Sequence, residues 1–255
     1  MTAQRPAQPS RPTARRSLRE RPAKPALSRE GIVETAVGLI RTEGLKRVTM
    51  RRLAQELDTG PASLYVYVRN TAELHAAVLD ELLGTVDLGP VRADGDWRER
   101  LAEVLSSYMS VLFAHPGLAQ SALVARPSGT HYLDLVEALL ALLDEGGVPP
   151  GRAAWAIDLL LQTATATATE HAAGARDDEI GAGSGVGAGS GTRREWDALT
   201  AAVRDASSQT HPHIAALGAD LLSGSGPDRR DWAFQVLING ALHTPLPDSA
   251  AARPP

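Results

Sequence analysis

An all-α fold is predicted by three features of these 255 residues. Apolar residues recur at three- and four-residue spacing from residue 27 onward. Ser, Thr and Asn stand where these patterns start, and Gly where they stop. Strand-like alternation occurs in two short stretches, SLYVYV at 63–68 and TATATAT at 163–169, each enclosed by helical pattern.

Ser28 caps a first helix whose apolar face is Ile32, Val33, Ala36, Val37 and Ile40, and Gly44 stops it. Thr49 caps a second, short helix carrying Leu53, Ala54 and Leu57. Asp58-Thr59-Gly60 is a turn, and Pro61 suits the first position of a third helix, where its missing N–H leaves no bond unmade. Asn70 with Glu73 forms a capping pair for a fourth, running through Leu74, Val78, Leu79 and Leu82 to Gly84. Only about two turns fit between Pro61 and Asn70. The spacing therefore predicts a short helix over about 61–68. Leu64 and Val68, four apart, share its buried face, with Ala62, Ser63 and Tyr65 on the open side.

A Gly- and Asp-bearing connection at 85–96 leads to further helices at about 97–114, 117–124, 129–145 and 150–173. Two more helical segments follow, about 194–222 and 228–243. Between them and the preceding helix, the strip GAGSGVGAGSG (181–191) reads as a flexible linker. It follows no strand and lacks a Gly-Lys-Ser/Thr, which leaves little to support a phosphate-cradling loop.

Composition narrows the function. The absence of cysteine excludes disulfides and zinc–thiolate sites. No apolar run reaches the roughly 18 residues of a membrane span. The Arg- and Pro-rich start lacks the apolar core of a secretory signal, so a cytoplasmic location is expected. Net charge is −4. Residues 1–26, however, carry Arg5, Arg11, Arg15, Arg16, Arg19, Arg21 and Lys24 against Glu20 alone. With five prolines, this segment is expected to be a disordered basic arm.

A helix, then helix–turn–helix, preceded by a basic arm, is an arrangement that places its last short helix in the DNA major groove. Arg51, Ala62 and Tyr67 are the candidates for base edges. Thr49, Ser63 and Tyr65 are the candidates for phosphates, and the arm would add salt-dependent contacts.

The run from Ser28 to Leu83 resembles the DNA-binding domain of the TetR family of transcriptional regulators. The matching elements are Gly44-Leu45, Val48-Thr49-Met50-Arg51, Leu53-Ala54-Gln55-Glu56-Leu57, Ser63-Leu64-Tyr65 and Val68-Arg69-Asn70. Asp58 stands where the family usually has Gly. The later elements Trp97, His115-Pro116-Gly117, Arg126-Pro127, Tyr132 and the helix from Trp232 to Leu242 resemble the regulatory domain of the tetracycline-repressor subgroup. This resemblance implies an N-terminal three-helix helix-turn-helix DNA-binding domain (27–72) and a larger helical effector-binding and dimerisation domain (73–245). The linker would span 174–193, and a disordered tail 246–255. The helices at about 150–173 and 228–243 would form a four-helix bundle between two copies.

By the same resemblance the effector cavity lies between the helices from Trp97 to Glu170, with Arg126, Pro127, Gln162 and Glu170 as lining candidates. Ala122 and Ala138 occupy positions where the tetracycline repressor uses polar side chains on a magnesium–tetracycline chelate. A mostly apolar organic effector without a metal is expected instead.

Other signals have simpler readings. His211-Pro212-His213 has no nearby carboxylates to complete a metal site. Glu170-His171 and Asp177, Asp178 and Glu179 read as a solvated acidic segment. TATATAT suits close helix packing at a dimer seam, or lines a cavity. Trp155 and Trp232 read as core or interface anchors, or as stacking surfaces for a ligand. No convergent acid, base or nucleophile set is present, so an enzyme is not expected. The expected function is a homodimeric, ligand-responsive regulator, most simply a repressor, on a palindromic double-stranded DNA operator. A constitutive DNA-binding dimer and an enzyme using the C-terminal cavity are the alternatives.

Overall fold

Side-chain caps set where the N-terminal helices begin. Ser28 accepts the Gly31 backbone N–H at 3.0 Å and opens α1 (Arg29–Glu43). Thr49 accepts the Arg52 N–H at 3.1 Å and opens α2 (Met50–Glu56). Pro61 takes the first position of α3 (Pro61–Leu64), and Asn70 accepts the Glu73 N–H at 2.8 Å to open α4 (Thr71–Leu83). These caps are those expected from the sequence. The structure, a computed structural model, describes residues 26–122, 127–183 and 191–247. The basic arm, Arg126, positions 184–190 of the Gly/Ser strip and the tail from 248 lie outside the described residues.

The turn between α2 and α3 places Asp58 at φ +47°, in the left-handed region. Asp is one of the few side chains that visits this region readily, because its short polar group bonds locally. Asp58→Val should therefore cost about 1–2 kcal/mol, the left-handed penalty for a residue branched at Cβ. Chemical denaturation measures this; an unchanged midpoint would contradict it.

The third helix is shorter than expected. One turn ends at Leu64, and residues 65–67 form a tight turn. The N–H groups of Tyr67 and Val68 still reach the Leu64 carbonyl, each at 3.0 Å. The run Tyr-Val-Tyr-Val resists regular helix through its χ1 restrictions, while Leu64 and Val68, both fully buried, hold it to the core.

The larger helical part contains α5 (Trp97–Ala114), α6 (Pro116–Ala122), α7 (Thr130–Glu145) and α8 (Pro150–Gly183). It continues with α9 (Gly191–Arg204), α10 (Pro212–Leu221) and α11 (Gly226–His243). α8 runs past the expected end near 173. The single segment expected at 194–222 is two helices. The proline ring disfavours helical backbone at the residue before Pro212, and His211 sits at φ −135°, ψ 62°.

One apolar core extends from Ile32 in α1 to Ile238 in α11. α4 is its hinge piece, packing on α1 to one side and on α6 and α7 to the other. α5 lies against α7 and α8, with Leu101, Leu105, Met109 and Leu112 fully buried at helical spacing. Each such side chain contributes about 1.5–3 kcal/mol relative to exposure. The guanidinium of Arg100, buried on α5, bonds the carboxylate of Glu145 at the end of α7. At the neighbouring Gly146 any Cβ would run into the Trp97 ring. These contacts fix α5 against α7, and so shape the space between them.

Candidate nucleic-acid interface and effector cavity

α2 and α3 present one exposed polar edge. Arg51, Ala62 and Ser63 are exposed, and Tyr65 and Tyr67 retain 52 % and 36 % of their surface. Thr49 is exposed too, although its hydroxyl oxygen already accepts the α2 cap bond. Its O–H remains able to donate to a phosphate. All six residues anticipated for DNA contact thus lie on the exposed part of the helix–turn–helix.

Two neighbouring arginines have different fates. The Arg52 guanidinium is clamped by Glu43 of α1, at 2.5 Å, and by Glu56 of α2, at 2.8 Å. The Arg52 hydrogen bond holds the Glu43 carboxyl below the usual carboxylate range. Arg51 makes no ion pair among the described residues and stays available to a ligand outside the chain. Val66, at 79 % the most exposed of the large apolar side chains at this edge, was not singled out from sequence. Its two-residue spacing from Leu64 and Val68 groups it with them on one face of a strand-like pattern.

The edge is braced from α4. The Glu73 carboxylate accepts the Arg69 backbone N–H at 2.8 Å and its guanidinium Nε at 3.1 Å. The backbone bond, then the side-chain bond, lower the Glu73 pKa. A depressed carboxyl pKa favours the folded clamp above the ordinary carboxylate range. That contribution is lost only as pH falls through the lowered value, so the brace is intact at neutral pH.

A cavity of about 290 Å³ opens between α5, α6, α7 and α8. It is lined by Tyr108, Ala122, Pro127, Tyr132, Asp158, Leu161, Gln162, Thr165 and Ala166. Of the four anticipated effector residues, Pro127 and Gln162 line it and Arg126 lies outside the described residues. Glu170 is exposed and is not part of the lining. Eight residues beyond Gln162 on a helix is a displacement of about 12 Å along the axis and about 80° around it.

The cavity's polar atoms have a definite sense. Thr165 donates its hydroxyl proton to the Leu161 carbonyl at 2.7 Å. In the 2.8 Å contact between Tyr108 and Thr165 the phenol must then be the donor. Burial pushes the Tyr108 phenol pKa up, so it stays protonated. Its oxygen is left able to accept. Asp158 accepts from the Gln162 amide at 2.9 Å and adds carboxylate oxygen to the same wall. TATATAT therefore divides by helix face: Ala164 and Ala168 are buried in packing, whereas Thr165 and Ala166 line the cavity. The Tyr108–Thr165 pair escaped the sequence because nothing local links residues 57 apart.

A second groove, about 480 Å³ and largely apolar, runs between α8 and α11. Trp155 and Leu159 on α8, and Trp232 and Val236 on α11, are about half exposed or more. The two tryptophans are thus not core residues of the protomer. His211 and His213 are exposed, and no group of three metal-ligating side chains occurs among the described residues. No helix among them is long and apolar enough to cross a membrane.

An exposed helix–turn–helix joined through one shared helix to a cavity-bearing helical domain defines the class: a two-domain DNA-binding regulator. Comparison with known proteins makes this specific. The family model for bacterial regulatory proteins of the tetR family matches residues 32–78. The one for the tetracyclin repressor-like C-terminal domain matches residues 89–240. The chain belongs to the TetR family of transcriptional regulators.

Among solved structures, a transcription regulator from Streptomyces coelicor is 56% identical, with a TM-score of 0.71, over 88% of this chain and 98% of that one. The Streptomyces coelicolor TetR family protein ActR, in complex with actinorhodin, is 30% identical with a TM-score of 0.68, over 86% and 96% of the two chains. The HTH-type transcriptional repressor DrrR1 of Streptomyces coeruleorubidus is 32% identical over 137 residues, 54% of this chain and 51% of its own length. The chain spans about half the length of the curated relatives it matches.

Proposed function

We propose that this protein is a homodimeric repressor that binds a palindromic operator and is released by a small organic effector held in the α5–α8 cavity. The observation that carries the proposal is a tyrosine-walled cavity two of whose helices, α6 and α7, pack against α4, the helix that also braces the exposed DNA-facing edge. The groove between α8 and α11, lined by exposed Trp155, Leu159 and Val236, together with exposed Trp232 on α11, supplies the apolar face for a second copy. Two recognition elements would then enter successive major grooves, on half-sites about one helical turn apart or somewhat more.

The cavity wall favours one effector chemistry. Tyr108 and Tyr132 offer ring surface, and the Tyr108 and Asp158 oxygens offer acceptors. An aromatic molecule bearing hydroxyl donors satisfies both. Actinorhodin, the ligand of the ActR complex, is a suitable first probe. Titration should show saturable binding, and Tyr108→Phe should weaken it about two- to tenfold, the loss of one hydrogen bond of roughly 0.5–1.5 kcal/mol. Bound probe should also lower operator affinity. Saturable binding without any change in operator affinity would instead make the protein a constitutive DNA-binding dimer.

A further inference from the structure

α7 begins without a cap of its own: its N-cap residue is Gly129, which offers no side chain to the first-turn N–H groups. The cap comes from the other side of a cleft. Asp80, on α4, accepts the Tyr132 backbone N–H at 3.0 Å through Oδ1. Any Cβ on Gly129 would run into the same carboxylate, so the close approach requires glycine there. One turn further along α4, a Cβ on Gly84 would lie 3.0 Å from the His131 ring. Positions 80 and 84 share one face of α4. That face grips the first turn of α7 through a charge-assisted bond, to which Gly129 gives room, and a close contact between Gly84 and the His131 ring.

The gripped turn is also a wall of the cavity. Tyr132 presents its backbone to Asp80 and contributes to the cavity lining, as does Pro127 just before the turn. At its other end α4 holds the DNA-facing edge through Asn70 and the Glu73–Arg69 clamp. We infer that Asp80 is the positioning residue that couples the cavity to the DNA-binding edge. Its carboxylate makes the first turn of α7 and the tilt of α4 a single mechanical unit. A ligand that displaces Tyr132 then shifts α4, and DNA that fixes α4 steadies Tyr132. This rests on the regulatory function proposed above.

Linkage is reciprocal, so DNA itself serves as the perturbation and no effector is needed. Amide hydrogen exchange over residues 130–133 is measured on the full-length protein, with and without an operator recovered by selection from random duplex DNA. Operator should slow exchange at the Tyr132 N–H at least threefold in the unsubstituted protein. In Asp80→Ala the DNA-dependent difference should vanish, whatever the basal rate. Asp80→Asn, isosteric but uncharged, keeps an acceptor without the charge that a helix N-terminus favours, and should show an intermediate difference. It carries the test if the alanine variant does not fold. Equal exchange with and without operator in the unsubstituted protein would overturn the inference, as would full slowing in either variant. Recovery of no preferred DNA sequence would instead overturn the regulatory function, and the coupling with it.

Discussion

Arg51→Ala is expected to weaken operator binding by about 1–3 kcal/mol, roughly 5- to 150-fold, and to relax preference at one position in each half-site. Arg51 stands in the first turn of α2, exposed and without an ion pair among the described residues, while its neighbour Arg52 is held by two glutamates. A guanidinium not engaged within the fold has its forked donors available for a guanine edge. Tyr65→Ala supplies the contrast. A phenol that bonds a phosphate carries no sequence information, so its loss should weaken all sequences about equally. Binding of every single-base operator variant to both proteins separates the two roles, and identical specificity profiles would contradict them.

Leu64→Ala should destabilise the fold by about 2–5 kcal/mol, the cost of truncating a fully buried leucine. Leu64 is 0 % exposed beneath a helix of one turn, and its carbonyl takes the N–H groups of both Tyr67 and Val68. Losing its side chain removes the anchor that orients Ser63 and Tyr65. Operator affinity should fall together with stability. Val66→Ala, two residues on at a site 79 % exposed, should change stability by no more than about 0.5 kcal/mol. Denaturant midpoints of the two variants decide the matter; similar midpoints would mean that the recognition edge is not held from below.

What was legible in the sequence was local. Ser28, Thr49 and Asn70 each cap the helix that follows because a cap bond spans only three residues. The buried pair Leu64 and Val68 could be placed because i and i+4 neighbours meet wherever the backbone turns helically. The exact extent of α3 was not legible, since propensity and tertiary packing conflict over 65–68. Nor was the break at 205–211, although Pro212 marked it.

The cavity was legible only by half. Pro127 and Gln162 line it, but the chemistry of its wall depends on Tyr108 and Thr165 meeting across two helices. Asp80 gave no sign either. It reads as one more charge on α4 until α7 is packed against it, and only then do Gly129 and Gly84 acquire a reason. Trp155 and Trp232 show the same limit, because an exposed tryptophan and a core one look alike until the protomer is folded.

Selection of bound sequences from a random double-stranded DNA pool, at near-physiological salt, tests the central claim most directly. Enrichment of an inverted repeat, with half-site centres about one helical turn apart or somewhat more, is the result predicted for a dimer presenting two α2–α3 edges. A folded, dimeric protein that enriches no sequence would contradict it.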